Sequence, residues 1–239
     1  MATAQPPAPP AKVSVFEDLV DIFASPAEVF ARRVGGNAWV PLAIIVVLAG
    51  IIYFATQGLM QPVFDAEFNR AMARQMARDP SVTAAQMEAG RAMMQKVGGL
   101  FVIIGIPISI LFTGVLVWLA GKIFGATESI ADAIVIATYA WFPRVISMIV
   151  GAVIAVMADP AKLNSMFSVT LSAGKLLDPD TTSHSLFVLA GRLDVFIIWQ
   201  TVLLGIGISV MGKISRANGL IAGAILWLIG TGAAMALQR

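Results

Sequence analysis

Five apolar runs set the pattern of the chain: Ala38–Met60, Gly98–Ala120, Ala133–Met157, Val195–Met211 and Asn218–Leu237. A helix needs about 20 such residues to cross the hydrocarbon core, with a working range of about 17–25. The fourth run has 17 residues, so its helix is expected to start at Val195 or a few residues earlier. Because the runs are continuous rather than alternating, transmembrane strands are excluded. The first run is 23 residues long, against about 7–15 for the apolar part of a cleavable signal, and is expected to stay as an anchor. The predicted fold class is all-α: a polytopic membrane protein with five transmembrane helices and amphipathic interfacial helices.

Between the runs, polar positions return with helical spacing. Residues 1–13 form a proline-rich tail expected to be disordered; Met1–Ala11 hold four prolines and no charged side chain. Residues 14–37 contain two helix starts, Ser14 with Glu17 and Ser25 with Glu28, both S-x-x-E capping boxes, and Pro26 follows the second cap. Phe16, Leu19, Val20 and Phe23 share one helical face, with Glu17, Asp18 and Asp21 expected on the other. Such a face suits the membrane interface, the end of a helix bundle or a partner.

The segment 61–97 is predicted to be a helical hairpin outside the membrane. Phe64, Phe68, Met72 and Met76 form its stripe, and Thr83 with Gln86 caps the second arm, with Val82 stapled onto Met87. Its charge is nearly balanced, Arg70, Arg74, Arg78, Arg91 and Lys96 facing Asp65, Glu67, Asp79 and Glu88. A cap packed on the bundle explains this composition, and a methionine-rich binding surface is the alternative. Residues 158–192 mix polar and apolar positions without a long period. Within them Leu163–Leu177 is expected to skim or dip into the interface and Ser185–Ala190 to make a short helical turn. The chain's single histidine, His184, lies near Asp178 and Asp180, a weak metal-ligand pattern more consistent with a solvated loop.

Composition supports the membrane class. Only 13% of residues are charged, 58% are hydrophobic, and the chain has no cysteine, whereas soluble domains carry about 25% charge. Thiolate catalysis, zinc–thiolate sites and redox switching are thereby removed. A net charge of +2 is too small to suggest nucleic-acid binding. Neither a cofactor nor a metal site is expected. No H-E-x-x-H, G-x-S-x-G or paired intramembrane carboxylates occur, so an enzyme is not predicted.

Of the 16 Lys/Arg and 14 Asp/Glu residues, only Arg144 falls inside an apolar run. A lone arginine at mid-membrane costs at least about 2.5–3.5 kcal/mol, so it is expected to face the bundle interior, a wet cleft or a headgroup. Pro143 removes a backbone donor and frees a carbonyl near Tyr139. Tyr139, Pro143, Arg144, Asp194, Trp199 and Gln200 are therefore the candidate polar point, with Asp194, Gln200, Tyr53, Gln57 or a lipid phosphate as partners for the guanidinium. It is either a headgroup, proton or ion site or an arginine that locks the bundle. Gly105 and Pro107 predict a second kink. Gly121-x-x-x-Gly125 and Gly219-x-x-x-Gly223 predict close helix contacts, within one chain or in a homo-oligomer.

Three features together resemble a known family. Five spans follow an N-terminal segment. Span three carries Tyr139-Ala140-Trp141-Phe142-Pro143, similar to the Y-x-x-x-P element of the Yip-domain family, whose eukaryotic members interact with Rab proteins. The segment Leu193-Asp194-x-Phe196-x-x-Trp199-x-x-x-Leu203-x-Gly205-x-Gly207, with Phe23-x-x-Pro26 upstream, resembles the bacterial branch. The likeness runs over residues 14–237. The eukaryotic D-L-x-G-P element is absent, since Val20-Asp21 follow Asp18-Leu19, and Thr138 stands where a glycine usually precedes the tyrosine. Rab binding is therefore not carried over.

The resemblance implies a non-enzymatic scaffold or trafficking-like factor that organises membrane lipids or a membrane-protein partner. It also implies a bacterial cytoplasmic (inner) membrane location with the N-terminus in the cytoplasm. The rival expectation is a small transporter or channel component built around Arg144. Charge alone does not orient the chain, although Arg32-Arg33 before the first span and Lys213 with Arg216 before the last favour N-in locally.

Overall fold

The computed structural model describes residues 14–79, 81 and 83–237. The proline-rich tail, and Val82 with its expected staple to Met87, lie outside the described residues. The described residues form ten α-helices: α1 (Val15–Ala24), α2 (Pro26–Arg32), α3 (Trp39–Arg78), α4 (Ala84–Leu100), α5 (Ile106–Ile123), α6 (Ile130–Tyr139), α7 (Phe142–Met157), α8 (His184–Arg192), α9 (Val195–Met211) and α10 (Arg216–Leu237). Among the described residues there is no strand, only an isolated bridge between Ser172 and Asp194. Among the described residues four helical stretches are long and apolar enough to cross a membrane, Trp39–Arg78, Ala84–Ile123, Ile130–Met157 and Arg216–Ala236, and Val195–Met211 is a shorter apolar helix. Their outward faces carry exposed Val47, Ile51, Phe112, Ile149, Val153 and Leu228. Ile45, Ile110, Ile136, Leu203 and Ile208 are buried between the helices. Apolar residues on both faces are what a helix needs when lipid replaces water around it.

The helix ends follow local chemistry. Ser14 and Glu17 close a reciprocal box, Ser14 N–H donating to Glu17 Oε2 at 2.7 Å and Glu17 N–H to Ser14 Oγ at 3.1 Å, and Thr83 with Gln86 does the same for α4. Ser25 makes no such bond, correcting the expected second box. It also ends α1, its N–H donating to Asp21 O, and its ψ of 57° differs from the 159° and 153° of Ser14 and Thr83, so its hydroxyl is not presented to the α2 amides. Ser129 with Asp132 forms a further box at α6. Its short acid in place of Glu or Gln hid it from the motif.

The two predicted kinks take different forms. The third apolar run is two helices. Ala140 and Trp141 make a turn, and Pro143 lies in the first turn of α7, where its missing N–H costs nothing. Before Pro107 the chain widens into a π-helical stretch, Phe101–Gly105, that joins α4 to α5. The 61–97 hairpin is the continuation of α3 and α4, and α3 passes through Pro62 without a break. Arg91 pairs with Asp65 across the two arms and lies 5.5 Å from the Phe68 ring centroid.

The glycine motifs also divide. Gly223 of α10 is so close to α9 that a Cβ there would lie 2.7 Å from Thr201 O, and a Cβ on Gly205 would lie 2.9 Å from Gly219 O. The Gly219/Gly223 face is thus used within the chain, by the α9–α10 hairpin. Gly125 is not a helix contact: with φ of +74° it forms the turn after α5, which corrects that pairing. Residues 158–183 make three short 3₁₀ turns, 160–162, 166–169 and 173–176, and α8 extends the short helix expected over Ser185–Ala190.

Candidate functional site

The residues expected at one polar point divide between two neighbourhoods, Tyr139 and Trp199 in one and Arg144 and Asp194 in the other. Tyr139 ends α6 and points to the N-terminal segment, its hydroxyl donating to Asp18 Oδ2 at 2.9 Å. Asp18 is fully buried, correcting its expected place on the polar side of α1. It also accepts from Arg32 Nε at 2.6 Å and from Arg33 Nε, while Arg32 Nη2 reaches Asp21 at 2.5 Å. The physical reason is depth: α1 and α2 are folded into the bundle rather than laid on it, so a carboxylate facing inward has to be matched by cations. Ile22, Val29 and Phe30 are also fully buried there.

The face proposed for α1 is consequently split. Leu19 and Phe23 pack on the core, whereas Phe16 and Val20 are each 70% exposed. Phe23 meets Trp199 edge to face, ring centroids 5.0 Å apart. Gly35 N–H donates to Asp132 Oδ1 at 2.7 Å and closes the segment onto the start of α6. Trp199 therefore packs on the N-terminal hairpin.

Arg144 lies in the first turn of α7, beside Asp194 and Arg192. Asp194 is buried and caps α9, its Oδ1 accepting from Phe196 N–H at 2.9 Å and Ile197 N–H at 3.1 Å. Its Oδ2 is buried without a hydrogen-bond partner. Arg192 is held by Thr231, its Nε donating to Oγ1 at 3.3 Å, and its carbonyl accepts from Trp227 Nε1 at 3.2 Å. Arg192 lies at the end of α8, where burial first, and then the Arg144 charge, pull its pKa down. Of the other partners considered for Arg144, Tyr53 is turned to Gly98 of α4 instead, and neither Gln57 nor Gln200 makes a side-chain hydrogen bond among the described residues. Arg144 thus feels both the Asp194 carboxylate, already committed through Oδ1 to a helix cap, and a second guanidinium, Arg192. The sequence pointed to Arg144 and Asp194 but missed Arg192. Its one signal was its place two residues before the Asp194 cap.

A third cluster lies at the opposite end of α9. Glu128 is buried with neither carboxylate oxygen hydrogen-bonded, and Lys122 Nζ is 3.9 Å from Oε2. Lys122 donates instead to Ala126 O at 2.7 Å and Glu128 O at 2.8 Å. Burial, with Asp132 nearby, holds the Glu128 carboxyl above the usual carboxylate range despite Lys122. Among the described residues no three metal-ligating side chains meet.

The fold defines a polytopic, all-helical membrane protein with polar groups buried at helix ends. The Yip1 domain family model matches residues 20–237, and the chain belongs to that family. It is also 26% identical over 211 residues to a Bacillus subtilis (strain 168) protein named "Membrane protein YknW", covering 87% of this chain and 84% of that one. No solved structure matches it.

Proposed function

We propose that this Yip1-family protein acts without catalysis, organising membrane lipids or a membrane-protein partner through the polar point around Arg144. The observation that carries this reading is the imbalance there: Arg144 has a second cation, Arg192, as neighbour and one carboxylate, Asp194, whose Oδ1 is occupied by two backbone amides. A second anion, a lipid phosphate or an acidic side chain of a partner, would complete the charge balance that a low-dielectric site demands. The bacterial relative, named only as a membrane protein, is consistent with a bacterial inner-membrane location. The local Lys/Arg excess at Arg32-Arg33 and Lys213/Arg216 supports a cytoplasmic N-terminus, because orientation follows cation count and not net charge.

The test is quantitative mass spectrometry of what co-purifies with the full chain in native lipid nanodiscs, beside Arg144→Gln. An anionic lipid or a stoichiometric partner enriched on the native chain, and reduced about tenfold in the folded variant, is the expected result. Equal recovery from both would refute the site. Loss of ion or solute flux from proteoliposomes in Arg144→Gln, with recovery unchanged, would replace this reading with a transport role.

A further inference from the structure

Outside the apolar runs, the extension of α3 and the segment before α8 enclose a cleft of about 600 Å³. Arg70, Arg74 and Arg78, four residues apart on α3, line one side, and His184, at the start of α8, lines the other. Two of the lining residues each hold a buried nitrogen without a hydrogen-bond partner, Arg70 Nη1 and His184 Nε2. A buried polar group left unpaired costs about 1–3 kcal/mol, so two at one cavity imply a missing hydrogen-bonding partner.

The acidic residues nearby are already engaged. Asp180 takes Arg70 Nε at 2.7 Å, and Glu67 takes the Met166 N–H at 2.9 Å and lies 3.7 Å from Arg70 Nη1. Arg74 forms no hydrogen bond or ion pair among the described residues. Ser183 offers no side-chain cap to the first amides of α8, which leaves the positive end of that helix beside the same space. Phe167 and Phe187, also lining the cleft, stack edge to face with centroids 4.8 Å apart. The cavity therefore presents a cationic wall and an aromatic wall.

We propose that this cleft binds an anion bearing a phosphoryl group on an apolar or aromatic body. Arg70 and Arg74 would take the phosphoryl oxygens and the phenylalanine pair the body. An imidazole suits the same ligand, as donor through Nε2–H or as acceptor from a singly protonated phosphate. Two sources have this chemistry, a soluble phosphate ester and a phospholipid headgroup. Distance favours the soluble one: Arg70 is ten residues beyond Met60, where the first apolar run ends, or about 15 Å along a helix rising 1.5 Å per residue. The headgroup layer is only about 5–8 Å deep on each side.

The only histidine in the chain makes the test specific. The full-length protein, labelled with ¹⁵N-histidine, is placed in nanodiscs of phosphatidylcholine alone and titrated with phenyl phosphate. The expected result is a saturable shift of the His184 Nε2 resonance. Arg74→Gln, at an exposed position with no partner to lose, should weaken it about tenfold while leaving the thermal midpoint unchanged. A shift already present in phosphatidylglycerol nanodiscs without phenyl phosphate would assign the phosphoryl group to lipid. No saturable shift in either nanodisc, or a shift that Arg74→Gln leaves unchanged, would overturn the proposal.

Discussion

Glu128 shows how a single side chain can carry a cost that the rest of the molecule absorbs. Its carboxylate is buried against Gly121 and Gly212, where larger residues would not fit: a Cβ on Gly212 would sit 2.7 Å from Oε2. Burial holds its pKa above the ordinary value of 4.5. A carboxyl whose folded pKa is raised binds its proton more tightly in the folded state. Its contribution to stability is then fully present below about 4.5 and is lost as pH rises through the folded value. Glu128→Gln, which keeps the shape and removes the charge, should therefore raise the thermal midpoint at pH 7.5, and the gain over the native chain should shrink as pH falls toward 4.5. Thermal unfolding in detergent across that range checks it. A variant less stable than the native chain at pH 7.5 would mean that the Lys122 pair outweighs the burial cost.

At the scale of elements, the decisive contact is the antiparallel α9–α10 hairpin, joined by the tight turn at Gly212–Ser215. Gly223→Ala would place its methyl group 2.7 Å from Thr201 O and 3.2 Å from Gly205 N. Because both atoms are backbone, the helices would have to separate. A loss of about 1–3 kcal/mol follows, the usual range for overpacking. Gly232→Ala on the same helix meets nothing within 4 Å and should be neutral or gain up to about 1 kcal/mol from helix propensity. Chemical denaturation of the pair separates the packing effect from propensity, and equal stabilities would refute the close approach.

Elements of this kind were largely legible beforehand. An apolar run of membrane length with one charge among five such runs leaves no competing fold class, and the Gly219/Gly223 spacing marked a face. What the sequence alone could not convey was the partner of each face. Gly121-x-x-x-Gly125 has the same spacing but ends in a turn, because α5 stops at Ile123, two residues after Gly121. Tyr139 and Arg144 lie five residues apart and by spacing alone share a site, yet the turn at Ala140-Trp141 sends them to different neighbours. The cleft at Arg70 and His184 joins two segments that lie apart in the sequence, one patterned as a balanced-charge cap and the other as a solvated loop.

For the whole molecule, the least foreseeable feature is the N-terminal hairpin held inside the bundle. An amphipathic wheel places Asp18 with Glu17 and Asp21 on the wet side, and nothing local contradicts it. The contact that reverses the assignment comes from Tyr139, 121 residues away. Asp18 then joins three elements, drawing Arg32 and Arg33 at the end of α2 and Tyr139 at the end of α6 onto one carboxylate. Phe23 against Trp199 and Gly35 on Asp132 add one anchor near each end of the hairpin. Removing the carboxylate leaves two guanidinium groups about three-quarters buried, with side-chain exposures of 25% and 23%, without it. Breaking a buried pair costs about 3–5 kcal/mol, and partial exposure of the arginines reduces this to about 2–3 kcal/mol.

Asp18→Asn should therefore undock the hairpin before it unfolds the bundle, because α9–α10 and α5–α6 pack without it. Limited trypsin digestion in detergent reads this directly. Cleavage after Arg32 or Arg33 should become fast in Asp18→Asn, while the bundle beginning at Arg33 or Val34 stays folded. Tyr139→Phe, which removes one charge-assisted hydrogen bond of about 1.5–3 kcal/mol, should give an intermediate rate. Resistance to cleavage in both variants would show that Phe23, Val29 and Phe30 hold the hairpin by apolar packing alone. The ion cluster would then set its register and not its attachment.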